Sequence, residues 1–185
     1  MRSGILAGLL VWFALALFSS ACWLSSASAP AIAIIVWSLT GLVLLLWWRL
    51  PALGSWIDSL PLSALISIHL CRFVGFYFLF LGRDGHLPQA FAFPAGIGDI
   101  VVAIGALILL GLPTLMRSRQ TVLAWNIIGL ADILFVVFQA LRSGLNDWVS
   151  MAALRELPLA MLPTFFVPLI LVSHVLILVR LKQQT

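Results

Sequence analysis

The stretch LSALISIHLCRFVGFYFLFL, residues 62–81, decides the fold class of this chain. It is almost wholly apolar, and a helix of this length, rising about 1.5 Å per residue, crosses the roughly 30 Å hydrocarbon core of a bilayer. It also carries two ionisable residues, His69 and Arg72. Ionisable side chains cost about 2.5 kcal/mol or more inside a bilayer, so they persist where they face a partner, a cofactor or water. The stretch therefore predicts both a membrane span and a polar site within it.

The composition of the whole chain favours the same class. Of 185 residues, 63% are hydrophobic and 9% are charged, whereas soluble domains are roughly 45–50% apolar and about 25% charged. The apolar runs predict six spans: Gly4–Ser26, Pro30–Trp48, Leu62–Leu81, Ala95–Leu112, Thr121–Leu141 and Leu162–Leu181. No segment between them is long enough for a soluble domain. We predict a single transmembrane domain over residues 1–185, an all-α integral membrane bundle of six helices.

The N-terminal segment has features of a cleavable signal peptide, because Arg2 precedes an apolar run and Ser-Ala-Ser-Ala follows at 26–29. Pro30 would follow the cut, where proline is unfavourable, and the run is longer than the usual 7 to 15 residues. We therefore expect the segment to be retained as the first span.

Basic residues in the loops predict the orientation of the bundle. Six of them fall on the side of the termini, namely Arg2, Arg49, Arg117, Arg119, Arg180 and Lys182, and three on the other side, namely Arg83, Arg142 and Arg155. The positive-inside rule then places both termini in the cytoplasm. This scatter also speaks against nucleic acid as a partner, despite a pI near 10.1. Tryptophans near the span ends are expected to be interfacial anchors: Trp23, Trp47, Trp48, Trp56, Trp125 and Trp148.

Depth along the spans relates the ionisable residues to one another. His69 and His174 lie at about the same depth on antiparallel helices, and Arg72 lies one turn from His69 on the same face. Asp132 lies at about the depth of Arg72. A structural interpretation is an ion pair of Arg72 with Asp132, or second with Asp99, beside neutral hydrogen-bonded histidines.

A functional interpretation of the same residues is a b-type haem. Haem iron accepts a neutral imidazole on each face, so His69 and His174 would be its axial ligands. Arg72 would then pair with a propionate carboxylate of the haem.

The segment Gly96-Ile97-Gly98-Asp99 resembles the GxGD motif of intramembrane aspartyl proteases. That resemblance implies a second catalytic aspartate, for which Asp132 is the candidate, because two carboxylates sharing a proton activate water. Asp132 departs from the family pattern, since it follows the motif instead of preceding it. The local alternative is that Phe93–Gly96 starts the fourth helix and Asp99 interacts with the helix dipole in its first turns. Its partners would then be Arg83, His86 or Arg72, forming the mouth of a polar cavity.

The fifth and sixth spans contribute a second polar pattern. Asn126, Gly129 and Asp132 follow one another at three-residue steps, and Gln139 returns to the face of Asp132 one heptad later, so this side should face inward. Prolines at 158, 163 and 168 predict an irregular start to the sixth helix and a freed carbonyl one turn before Pro168.

The segments 93–99, 125–132 and 157–168 resemble those of an uncharacterised group of small bacterial multi-pass membrane proteins, over Leu62 to Leu181. The resemblance implies a bacterial inner membrane and a site among spans three to six, and it carries no activity. Three functions remain open besides the protease: haem-dependent electron transfer, a small proton-coupled carrier or channel, and a structural partner of a membrane complex or of a second copy. The polar residues available to a carrier are Arg72, Asp99, Asn126, Asp132 and Gln139, with His86 near the mouth.

Overall fold

The computed structural model describes residues 2–183, without the side chains of Arg2 and Ser3, and this part of the chain is helical with no β-strand. Within these described residues, six segments are long and apolar enough to cross a membrane: Gly4–Cys22, Ala29–Arg49, Leu62–Arg83, Gln89–Gly111, Arg119–Asn146 and Leu162–Gln183. We number them as the first to the sixth span. The predicted all-α fold with six spans is confirmed.

Some predicted span boundaries were wrong. The first span ends at Cys22, and residues predicted as its last turn form a separate 3₁₀ turn at Leu24–Ser26. The fourth span begins at Gln89 instead of Ala95, so Pro94 lies inside the helix. Proline is tolerated inside membrane helices because neighbouring groups satisfy the backbone polar groups that it leaves unpaired. Taking Pro94 as a helix start was therefore the source of the error.

Two spans are not regular α-helices. The third consists of an α-helix at Leu62–Ser67, a 3₁₀ segment at Ile68–Val74 and an α-helix at Gly75–Arg83. The sixth begins with a π-helical turn at Leu162–Phe166 and continues as an α-helix over Val167–Gln183. The predicted irregular start of the sixth span is confirmed.

The carbonyl four residues before Pro168 belongs to Thr164, and proline has no N–H to donate to it. Trp12 Nε1 donates a hydrogen bond to this carbonyl oxygen at 3.0 Å. Nearby, Ser20 Oγ donates to the carbonyl oxygen of Ala160 at 2.9 Å. The predicted freed carbonyl therefore attaches the first span to the start of the sixth and takes no part in a site near His174.

Short helices connect the spans, at Pro51–Ser59, Pro113–Arg117 and Ala152–Arg155. We call the end of the bundle that holds Gln183 the proximal end and the opposite end the distal end. At the proximal end, Arg180 donates to the carbonyl oxygens of Leu60, at 2.5 Å, and of Ile57. The sixth span thereby holds the connection between the second and third spans.

Four apolar clusters fill the described part of the bundle, and two of them lie toward its opposite ends. The proximal cluster includes Ile66, Val102, Val122 and Ile177, and the distal cluster includes Phe91. The third, fourth and fifth spans each carry one charged residue, namely Arg72, Asp99 and Asp132. On each span, residues of the proximal cluster lie to one side of the charged residue and residues of the distal cluster lie to the other side. The packing thus places the three charged residues between the proximal and distal clusters, and we call this level of the bundle the polar layer, although a third apolar cluster with Ile133 and Leu171 packs beside it.

Candidate functional site

Arg72 lies at the centre of the polar layer and is 1% exposed. Its Nε donates to Asp99 Oδ1 at 2.7 Å, and its Nη2 donates to the carboxylate of Asp132. Its Nη1 donates to the carbonyl oxygen of Gly129 at 3.0 Å. The predicted pairing of Arg72 with an acid is confirmed, with both acids bound at once. We call Arg72, Asp99 and Asp132 the Arg72 cluster.

The 3₁₀ segment of the third span orients the site. A 3₁₀ helix has three residues per turn, so residues three apart are eclipsed on one face. His69 and Arg72 are three apart within this segment, and both are buried. The sequence predicted a shared face from α-helical spacing, and the tighter winding aligns the two side chains more closely.

Glycines provide the space for these contacts. A Cβ on Gly96 would lie 2.7 Å from the backbone oxygen of Gly75, so the third and fourth spans touch backbone to backbone there. A Cβ on Gly98 would occupy the position of the Asp132 carboxylate. A Cβ on Gly129 would lie 2.8 Å from Cε1 of His174. Larger residues at these positions would therefore separate the spans that carry the site.

His69 and His174 meet beside the Arg72 cluster, as their matching depth predicted. Their ring centroids are 4.2 Å apart at an interplanar angle of 50°, and both residues are fully buried. His69 Nε2 bonds Ser173 Oγ at 3.0 Å, and His174 Nδ1 bonds Asn126 Oδ1 at 2.8 Å. We call these two residues the histidine pair.

The hydrogen bonds assign the tautomers of the pair. The hydroxyl of Ser173 donates to the carbonyl of Ile170 at 2.8 Å, so its oxygen is left to accept from His69 Nε2–H. The amide nitrogen of Asn126 donates to the carbonyl of His174 at 3.2 Å, so its oxygen accepts from His174 Nδ1–H. The other ring nitrogens, His69 Nδ1 and His174 Nε2, have no partner in the described part of the chain. In a neutral imidazole each is a buried lone pair that can accept a proton.

The histidine pair does not fit a haem. An iron bound to both rings at about 2 Å each, with a macrocycle between them, requires a slot between the imidazoles. Rings whose centroids lie 4.2 Å apart leave no such slot. Within residues 2–183, no group of three or more His, Cys, Asp or Glu side chains could hold a metal ion. Haem ligation by His69 and His174, with Arg72 on a propionate, is therefore not supported by this geometry.

The geometry also does not fit an aspartyl protease. Such a dyad shares a proton between two carboxyl groups. Here Asp99 and Asp132 each bind the guanidinium of Arg72, which provides both with a counter-charge. The GxGD-like segment contributes close packing and one acid of an ion cluster.

Other expectations for Asp99 were wrong. Asp99 lies ten residues after Gln89, the first residue of its helix, whereas the helix dipole acts within the first turn. Arg83 and His86, offered as its partners, are exposed at the distal end. His86 is therefore not part of the buried cluster. Gln139 is half-buried and makes no hydrogen bond to the residues that the structure describes.

Two residues of the site were missed from the sequence. Ser173 forms a hydrogen bond with His69. The only feature of the sequence that could have indicated its role is its position directly before His174. Trp125 was predicted as an interfacial anchor, but it is 9% exposed and its ring meets His69 edge-on at 5.0 Å. Its Nε1 donates to the carbonyl of Val102 at 3.0 Å. The feature of the sequence that could have indicated this burial is the position of Trp125 next to Asn126, which lies on the polar side of the fifth span.

The fold and the site define a class, a multi-pass helical membrane protein with a charged cluster, centred on the buried Arg72, among its third, fourth and fifth spans. The chain belongs to the family described as "Domain of unknown function (DUF8737)", whose model matches residues 29–182. That match includes every span that contributes to the site and leaves the first span outside. No curated protein and no solved structure matches the chain.

Proposed function

We propose that the chain is a small proton-coupled carrier and that the Arg72 cluster binds the coupling proton. The observation that carries the proposal is one guanidinium bound by two carboxylates from different spans. With all three groups ionised, the cluster has a net charge of one negative unit. A net charge inside a membrane bundle is unfavourable, and a bound proton would neutralise it.

Proton binding at this cluster would be linked to helix packing. Asp99 belongs to the fourth span and Asp132 to the fifth, and Arg72 joins both to the third. A carboxyl that takes up a proton loses most of its attraction to the guanidinium. The span that carries it is then less firmly held to the third span, which supplies a route from proton occupancy to movement.

The irregular helices support a carrier. Secondary transporters commonly place their sites near the membrane midplane, on discontinuous helices. Here His69 and Arg72 lie on the 3₁₀ interruption of the third span, and the sixth span starts with a π-helical turn. A stretch of 3₁₀ helix inside a longer helix often marks a hinge.

The proximal and distal clusters favour a carrier over an open channel. The proximal cluster includes Ile66 and Ile177, both fully buried, and the distal cluster includes Phe91, which is 1% exposed. A polar layer closed on both sides suits a site that is opened alternately to each side. An open channel would instead need a continuous polar path through one of these clusters.

The histidine pair is a candidate route for the proton. His174 packs against Gly129, whose carbonyl oxygen accepts from Arg72, so the pair and the cluster are adjacent. His69 Nδ1 and His174 Nε2 have no hydrogen-bond partner among the described residues, and both rings pack against Trp125, a member of the proximal cluster. A proton passing to or from the proximal end would meet these two acceptors first.

Electrical recording on a solid-supported membrane tests this proposal with protons as the only probe. After a pH step, proteoliposomes with the full-length chain should give a transient charge displacement, because protons enter and leave an intramembrane site. The transient should be lost in Asp99→Asn and in Asp132→Asn. Asp58→Asn, a change at an exposed acid of the Pro51–Ser59 helix, is the matched control and should retain it.

Each outcome of this recording decides between functions. A charge displacement without lasting acidification of the vesicle interior indicates proton binding in a carrier, and acidification that continues until the pH difference is dissipated would indicate a channel. Charge movement absent from the wild type, or equal in wild type and Asp132→Asn, would contradict proton coupling.

For the orientation of the bundle we propose that both termini face the cytoplasm of a bacterial inner membrane. The excess of basic residues at the proximal end supports this, with Arg49, Arg117, Arg119, Arg180 and Lys182 there against three at the distal end. The bacterial location is supported by the sequence resemblance alone.

A role as a partner in a membrane complex, or in a dimer of this chain, is the second candidate. The exposure of the first span favours this role, because only 11% of the residues in an apolar 18-residue stretch of this helix are buried. Cross-linking in membranes from cysteines placed at Leu10 and Phe18, both exposed, would trap such a neighbour. If no cross-linked species forms and the pH-step transient is present, the role as a partner is excluded and the carrier is the one candidate function that is supported.

A further inference from the structure

A groove between the fourth and fifth spans opens at the surface of the proximal half of the bundle. It has a volume of about 570 Å³, and its lining includes Gln120 and Thr121 from the first turn of the fifth span. Val101 and Ile128, both exposed, belong to its walls. Trp125 also lines it. The groove therefore extends from polar side chains at the proximal end to the side of Trp125.

Trp125 also contacts the histidine pair. The centroid of its ring lies 5.0 Å from that of His69, in an edge-on arrangement, and 6.1 Å from that of His174. Both histidines are fully buried, whereas Trp125 is 9% exposed. A single side chain thus lines the groove and covers both imidazole rings.

The histidine pair has the chemistry of a proton acceptor behind this cover. His69 Nδ1 and His174 Nε2 are buried and accept no hydrogen bond from any residue that the structure describes. A buried polar atom without a hydrogen bond is unfavourable. A water molecule or a proton arriving from the groove would provide the missing partner, since each nitrogen carries a free lone pair in the assigned tautomer.

Two features of the fourth span hold the indole of Trp125 in its closed position. Its Nε1 donates to the carbonyl oxygen of Val102 at 3.0 Å. Gly105 leaves space for the ring, because a Cβ at this position would lie 2.6 Å from Cδ1 of Trp125. Both Val102 and Gly105 line the groove as well. Rotation of the tryptophan side chain away from these contacts would therefore move the ring within the groove and uncover the histidines.

We infer that Trp125 gates the access of water and protons from this groove to the histidine pair. The inference rests on the proposed proton coupling, for which it names the entrance and the residue that controls it. Trp125 is a positioning residue in this role, because its indole N–H is a donor only and binds no proton itself.

Carbethoxylation by diethyl pyrocarbonate tests the gate without any transport, because this reagent modifies accessible, unprotonated imidazole nitrogens. The full-length protein is treated in detergent at neutral pH, and mass spectrometry follows each histidine. His86 is exposed at the distal end and is the internal reference. In the wild type, His69 and His174 should react much more slowly than His86.

Trp125→Phe should raise the rate at the histidine pair about fivefold, the change in population expected when one hydrogen bond that favours the closed position is lost. Phenylalanine keeps an aromatic ring in the proximal cluster, so the fold should be retained. Trp37→Phe, at an exposed tryptophan of the second span, is the matched control and should leave the rate unchanged.

Gly105→Ala tests the gate from the opposite side of the contact. It retains Trp125 but places a methyl group where the ring lies, so the ring must move and the rate at the pair should rise by a comparable factor. Gly111→Ala, in the same span, is the control, because a Cβ there would meet nothing within 4 Å.

Three results would overturn the gate. One is a histidine pair that reacts as fast as His86 in the wild type. Another is a rate unchanged by both Trp125→Phe and Gly105→Ala. The third is an equal increase in the two control variants, which would indicate a general loosening of the bundle. A wild type without the pH-step charge displacement, together with the expected increases in reactivity, would contradict the proton coupling and support the gate.

Discussion

At the scale of single residues, Arg72 decides how the interior of the bundle is arranged. It is the largest fully buried side chain described, and it donates to three groups on two other spans. Breaking a buried ion pair by removing one partner costs about 3–5 kcal/mol, because an unpaired charge is left behind. The cluster is therefore a strong constraint on which spans can be neighbours, whatever its chemistry.

Replacing Arg72 alone should destabilise the protein more than replacing the whole cluster. Arg72→Gln leaves the buried Asp99 and the partly buried Asp132 without a counter-charge, so we expect a loss of about 3–5 kcal/mol in the free energy of unfolding. Adding Asp99→Asn and Asp132→Asn removes the uncompensated charge and should restore much of that loss. Unfolding of the purified full chain in detergent measures both. A triple variant no more stable than Arg72→Gln would refute the pairing.

Gly98→Ala tests the close approach of the fourth and fifth spans. The added Cβ would occupy the position of the Asp132 carboxylate, so the spans must separate or the acid must move. Overpacking of this kind costs about 1–3 kcal/mol. Gly41→Ala is the matched control, since its Cβ would meet nothing within 4 Å and alanine is the better helix former. Equal thermal stability of the two variants would mean that the contact at Gly98 is not tight.

At the scale of elements, the two irregular spans determine where polar groups lie. The 3₁₀ segment aligns His69 with Arg72, and the start of the sixth span exposes a carbonyl that Trp12 satisfies. Sequence periodicity predicts neither the 3₁₀ winding nor the donor. Both arise from contacts between spans, and the relevant donor lies 152 residues from its acceptor.

A double-mutant cycle tests the contact between the first and sixth spans. Trp12→Phe should lower stability by about 1 kcal/mol, because the Thr164 carbonyl loses its donor. In a Pro168→Ala background the backbone N–H of residue 168 becomes available to that carbonyl, so the same change should cost less. Trp37→Phe, at an exposed tryptophan of the second span, is the control. Additive effects of Trp12→Phe and Pro168→Ala would contradict this account of the carbonyl.

How far the sequence predicts the site can be judged from particular residues. Hydropathy and helical rise were sufficient to bring His69 to His174 and Arg72 to Asp132, since depth in a membrane is nearly fixed by position along a span. Rotation about the helix axis is not fixed in this way. Trp125 was therefore assigned to the interface although it packs on His69, and Gln139 to an inward face although it bonds nothing described. Pro94 misled the boundary because it lies within a helix.

At the scale of the whole molecule, the polar layer and its two apolar covers involve the third to the sixth spans. The family match also includes the second span and begins at residue 29. The first span attaches through Trp12 and Ser20 to the start of the sixth. The chain is thus organised as a five-span unit that contains the site, with one further span at its side.

The proposed orientation predicts the location of reporter fusions. A fusion after Thr185, which lies outside the described residues, should be cytoplasmic, and one in the 83–90 loop should be on the opposite side. A cytoplasmic reporter in the 83–90 loop with the Thr185 reporter on the other side would contradict the orientation, but it would still agree with six spans. Both reporters on one side would contradict the even number of spans.

The central claim, that the Arg72 cluster holds an exchangeable proton, is tested most directly by infrared difference spectroscopy of the full-length protein during a pH titration. As the pH falls, the wild type should develop the carbonyl stretch of a buried carboxylic acid, and this band should shift in heavy water. Asp99→Asn and Asp132→Asn should each alter it, and Asp58→Asn should leave it unchanged. A band absent from the wild type at every pH at which the protein is folded, or identical in all four proteins, would contradict the claim.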